Sequence, residues 1–201
     1  MRPNTPFTRS VRWFPECYTT NLKPFRDGHQ VRRISEFAGR ELKWSQPNAL
    51  RMEYELRAGD ELTAVLRFPS SFSSHATAES AEGCWTFERV GFWRNKTVVR
   101  ACGKQPPLAV FKNNRWGSGG TLELPGGRRY PASTNFWHTD LEIRNERGES
   151  LFQLWSGGVL RLSATTVVHP RAARLPEVPW LVMLGCYLLV MMKVDAAAAA
   201  V

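Results

Sequence analysis

The chain has 201 residues, 43% of them hydrophobic, and carries 27 Lys or Arg against 18 Asp or Glu, a formal net charge of +9. This length and apolar content suit one globular domain able to bury its core without staples, and they exclude a fibrous chain. Cys17, Cys84, Cys102 and Cys186 stand far apart with no C-x-x-C spacing, which argues against a zinc site or a redox dithiol and leads to the expectation of a reducing interior.

Residues 1–40 hold Arg2, Arg9, Arg12, Lys23, Arg26, Arg32, Arg33 and Arg40 against Glu16, Asp27 and Glu36. Over half of the excess charge therefore sits in the first fifth of the chain, as a basic arm of the kind that touches anionic lipid or nucleic acid. Scattered prolines and single aromatics give the arm no periodicity, so it reads as a solvated, flexible extension. It lacks the apolar run of a signal peptide, and export is not expected; the location read from this is cytoplasmic.

From Leu50 onward the pattern is that of β-structure. In "LRMEYELRAGDELTAVLRF", Met52, Tyr54 and Leu56 alternate with charged residues, a turn falls at Ala58, Gly59 and Asp60, and Leu62, Ala64, Leu66 and Phe68 resume the alternation. Residues 70–83, "SSFSSHATAESAEG", are small and polar without clear period and read as a loop with one short helical turn. "CWTFERVGFWRNKTVVRAC" reads as two strands and "PLAVFKNNRW" as a third, while "GGTLELPGGRRYPAS" is a hairpin turning at Pro125, Gly126 and Gly127. Leu141 and Ile143 face Phe152 and Leu154 across the turn at Glu146, Arg147 and Gly148, and "GVLRLSATTVVH" closes the series. Some nine to eleven strands with regular turns indicate a sandwich or a barrel.

The last segment, "LPEVPWLVMLGCYLLVMMKVDAAAAAV", is the one convincing helix, read over about 177–193 with an Ala-rich tail at 196–201. Pro176, Pro179 and Glu177 suit its start. Residues 178–192 carry no charge on any face, and such a helix belongs either in a membrane or in the centre of a fold. Fifteen residues span about 22 Å, short of a hydrocarbon core of roughly 30 Å, which favours the buried reading. An alanine extension and a snorkelling Lys193 keep a tail-anchored membrane protein open as the alternative. Many strands need something to cover their apolar face, and a central helix serves.

These residues carry a resemblance. "GCWTFERVGFWRNKTVVR", "GGTLELPGGRRYPASTNFW" and "LPEVPWLVMLGCYLLVMM", in that order over about residues 41–195, resemble the tubby C-terminal-like superfamily, which includes phospholipid scramblases and plant LURP-one-related proteins. The resemblance implies a mainly β protein: a closed antiparallel barrel of about twelve strands around a central hydrophobic C-terminal helix. It brings no catalytic motif. Some members bind phosphoinositides through basic side chains, which implies an anionic membrane surface as partner. The acidic residues here show no calcium-loop spacing.

Within the helix, Trp180, Leu181, Leu184, Gly185, Tyr187 and Leu188 are expected to form the structural core, with Gly185 marking a close approach of another chain segment. For ligand contact, cations beside aromatics suit a phosphate-bearing surface: Arg89, Trp93, Arg94 and Lys96 in one hairpin, Arg115 with Trp116, and Arg128 with Arg129 at another turn. The competing reading packs the tryptophans in the barrel beneath arginine stems. The histidines are isolated, and His138 beside Asp140 lacks a nucleophile to serve; neither an enzyme, a cofactor, a metal nor a small-molecule substrate is expected, and nucleic acid is not expected as a partner.

Overall fold

The structure, a computed structural model, describes residues 31–91, 95–114, 119–135, 139–157 and 162–199. Twelve strands follow one another in chain order: β1 Glu41–Ser45, β2 Glu53–Ala58, β3 Glu61–Arg67, β4 His75–Ser80, β5 Gly83–Val90, β6 Lys96–Ala101, β7 Ala109–Asn113, β8 Gly119–Glu123, β9 Arg129–Thr134, β10 Asp140–Arg144, β11 Ser150–Gly157 and β12 Ser163–Val168. Each pairs antiparallel with its neighbour, and β12 returns to pair with β1, so the sheet closes into a barrel. A barrel of this strand number leaves a lumen wider than side chains alone can fill. Helix α1, Val178–Ala199, fills it.

Period-two alternation directs the apolar side chains inward. Tyr54 and Leu56 from β2, Phe87 from β5, Leu122 from β8, Leu141 and Ile143 from β10, and Phe152 and Leu154 from β11 are all buried against the helix. Leu141 lies opposite Leu154 and Ile143 opposite Phe152, so the two apolar pairs that the sequence sets against each other do meet. The register of β2 and β3 shifts at Leu56, where the buried Thr63 hydroxyl donates a 2.9 Å hydrogen bond to the Leu56 carbonyl and so satisfies its polar atom locally.

The helix is apolar on every side because every side meets the barrel wall: residues 178–191 are buried, Trp180, Leu181, Leu184, Gly185, Tyr187 and Leu188 among them. Tyr187 stacks between Phe68 and Phe87, with ring centroids at 5.6 and 5.4 Å. Gly185 is where the wall comes closest; a Cβ there would stand 2.8 Å from the Phe152 ring.

Four expectations are corrected. Residues 75–80 form a strand, not a loop: Ala76 and Ala78 point inward and are fully buried, but their small size gives little hydrophobic contrast in the sequence. The extension read over 1–40 is structured at its end, where a 3-10 turn, Ile34–Phe37, buries Ile34 and Phe37; residues 1–30 lie outside the described ones. The helix runs on to Ala199, through four of the alanines read as a tail, because alanine is the best helix former. Cys84 and Cys102 form a disulfide, with Cα atoms 5.3 Å apart, where thiols had been expected; the β5–β6 register sets Trp85 opposite Ala101 and thereby these two cysteines opposite each other.

Strict up-and-down order sorts the connections onto two rims. At the proximal rim, where the helix starts, lie the turns after β2, β4, β6, β8, β10 and β12; at the distal rim, where it leaves, lie those after β1, β3, β5, β7, β9 and β11.

Candidate functional site

The cations that the sequence singles out do not converge. Arg89 and Lys96 belong to the distal half of the barrel, Arg128 and Arg129 to the proximal rim. Trp93, Arg94, Arg115 and Trp116 lie outside the described residues, as does His138.

Arg89 follows Trp85 and Phe87 on the inward side of β5 and its side chain is only 9% exposed. Its Nη1 lies 2.8 Å from Asp195 Oδ1 on the last turns of α1. This guanidinium ties the helix to the wall and has its anion already, which supports the reading of an arginine that serves packing over one that waits for phosphate. Lys96 opens β6, exposed, with Lys112 opposite it on β7. Lys112 Nζ is 2.6 Å from a Glu123 oxygen, which relieves the like-charge pair and, with Arg129 and Lys96 nearby, holds the Glu123 carboxyl below its ordinary pKa.

At the proximal rim Arg128 reaches Glu177, the residue before α1, with Nη2 2.7 Å from Oε1, and its Nη1 donates to the Tyr130 hydroxyl at 3.3 Å. The Glu177 side chain is 8% exposed, and its other oxygen is buried without a hydrogen-bond partner. The carboxylate that suits the helix start is thus buried beneath an arginine. Arg129 is exposed; its backbone N–H donates to Glu146 Oε1 at 3.0 Å. The four described candidates are two structural fasteners, Arg89 and Arg128, and two surface cations, Lys96 and Arg129.

What sequence reasoning missed are apolar side chains left in water. Leu50 is 95% and Phe72 96% exposed, in the adjacent connections after β1 and β3, and Trp155 on β11 is 39% exposed in the same distal half. Neither loop is loose. Leu50 N–H donates to Asn48 Oδ1 at 2.9 Å, the Gln46 side-chain amide to the Arg51 carbonyl at 2.9 Å, and Phe68 N–H to the Met52 carbonyl at 2.9 Å, which laces one loop to the other. The Tyr187 hydroxyl donates to the Ser74 carbonyl at 2.6 Å, fastening the second loop to the core, and burial pushes that phenol well above its ordinary pKa.

Among the described residues no group of three His, Cys, Asp or Glu is placed to hold a metal ion. Cys186 is a free thiol buried in the helix core, and burial pushes its pKa up, away from nucleophilic use.

The barrel has a counterpart. An X-ray structure of a protein from Arabidopsis thaliana matches it with a TM-score of 0.53, covering 84% of this chain and 99% of that one. Sequence identity over the match is 10%, so the likeness shows a shared fold alone. No protein-family profile matches the chain, and no curated protein sequence matches it.

Proposed function

We propose that this chain is a non-enzymatic barrel module of the tubby C-terminal-like kind that associates peripherally with anionic phospholipid. The observation that carries the reading is the burial of residues 178–191 inside twelve strands. The most apolar segment of the chain is occupied as core, so contact with a membrane is left to the surface of a basic protein of net charge +9. The plant structure supports the fold half of this reading. The anionic leaflet that this reading needs is cytoplasmic, and a reducing cytoplasm works against the Cys84–Cys102 disulfide; the redox state of this pair in cells tests the compartment.

Sedimentation of the full chain with vesicles is the direct experiment. Binding to anionic vesicles that weakens as salt rises supports the proposal, and equal partition to neutral and anionic vesicles removes its electrostatic part. The rival, a tail anchor, draws on the 22 residues of α1, which are apolar enough and, at about 33 Å, long enough to cross a bilayer. That arrangement requires the helix to leave the barrel and empty its core. Resistance to carbonate extraction would favour it; release would exclude it.

A further inference from the structure

The two rims of the barrel differ in chemistry. Among the described residues, the stretches that join strand ends at the distal rim, 46–52 and 68–74 with residues 91, 95, 114, 135, 139 and 162, contain Arg51, Phe68, Phe72 and no Asp or Glu. Those at the proximal rim, 59–60, 81–82, 102–108, 124–128, 145–149 and 169–177, contain five carboxylates, five Lys or Arg and no Phe, Trp or Tyr. Among the described residues the three exposed large hydrophobic side chains all fall in the distal half, two of them almost wholly in solvent on loops braced from beneath. Single exposed apolar residues need no explanation; two of them on adjacent braced loops, with the exposed Arg51 beside one, do.

We propose that the distal rim is the face that meets the bilayer, with Leu50 and Phe72 entering the interface and Arg51 at the level of the lipid phosphates. This rests on the lipid reading above and adds the orientation: the proximal rim faces away from the membrane. The pairing of basic and apolar side chains is what an anionic bilayer surface selects, because the guanidinium takes the phosphate while the apolar side chain leaves water. Arg51 is exposed beside Leu50 and its guanidinium has no carboxylate partner among the described residues. Carboxylates are repelled at such a surface; the described residues of these connections have none, and at the adjoining strand and helix ends Glu53 is paired with Arg67, Asp195 with Arg89, and Asp140 accepts from the Asn135 amide.

The full chain is compared with Leu50→Ser/Phe72→Ser, with Arg51→Glu, and with Arg147→Glu at the proximal rim, by sedimentation with vesicles of phosphatidylcholine alone and with added phosphatidylserine. The double variant is expected to lose on the order of tenfold in partition to the anionic vesicles with an unchanged melting temperature, and Arg51→Glu several-fold, with a shallower salt dependence. Arg147→Glu is expected to bind as the wild type does. Wild-type binding that survives the double substitution intact, or falls as far with Arg147→Glu, overturns the orientation and leaves the lipid reading standing. A wild type that binds no vesicle overturns both and makes a protein partner the occupant to seek.

Discussion

The proximal and distal rims close the same barrel by different means. The proximal rim is fastened: the Cys84–Cys102 disulfide joins β5 to the segment after β6, Arg128 covers the buried Glu177 at 2.7 Å, and Ile34 and Phe37 pack inward ahead of β1. At the distal rim one ion pair, Arg89 with Asp195, holds the departing helix, while Leu50 and Phe72 stand in water. One end is closed by a disulfide and an arginine over a buried carboxylate, and the other leaves large apolar side chains in water. Stability and contact can therefore be perturbed separately.

The largest effect is expected from ending the chain at Glu177. Without α1 neither rim has a core to close on, and the product should be insoluble or lack a cooperative melt; a soluble, cooperatively melting truncation would refute the central role of the helix. Next, Cys84→Ala with Cys102→Ala should lower stability by about 3 kcal/mol, read from denaturant midpoints, and leave vesicle partition unchanged. An unchanged midpoint would mean that the disulfide is not what fastens this rim. Arg128→Ala leaves the Glu177 carboxylate buried and unpaired and should cost about 2 kcal/mol.

High pH tests the interior. Burial holds the phenol of Tyr54 up at about 12 and that of Tyr187 higher still, against an unfolded value of 10.0. A raised folded pKa means that the contribution of these two rings is fully present below pH 10 and is lost above it, as the unfolded tyrosines ionise and the folded ones stay protonated. The slope should be about 1.4 kcal/mol per pH unit for each such tyrosine, and Tyr187→Phe should remove one such contribution. A stability profile flat between pH 10 and 12 would contradict burial of these rings. The smallest effect belongs to Leu50→Ser/Phe72→Ser, which should move stability by less than about 0.5 kcal/mol while changing membrane contact, since neither side chain packs against the protein.

Much of the wall was legible before the structure. Where large apolar and charged residues alternate, as in Leu141, Ile143, Phe152 and Leu154, even the pairing was readable, because alternation alone assigns the faces. Strand β4 was not, since its inward residues are the small Ala76 and Ala78, accommodated where Tyr187 and its neighbours fill the lumen. The face of Arg89 was ambiguous for the opposite reason: a cation shares the inward side of β5 with Trp85 and Phe87 because the strand end reaches the rim, where Asp195 meets it. Leu50 and Phe72 lie in separate connections, and nothing local marks these as neighbours.

By itself the sequence determined that most of this chain would be strand and its end an uncharged helix, since both are periodic or compositional properties felt within a few residues. Which cations are fasteners and which are surface cations was decided only by tertiary structure. Arg89 finds Asp195 across 106 residues of sequence, and Arg128 finds Glu177 only once the helix has entered the lumen. Closure of an up-and-down barrel sends alternate turns to opposite ends, and that sorting brings Leu50, Arg51 and Phe72 to the same end.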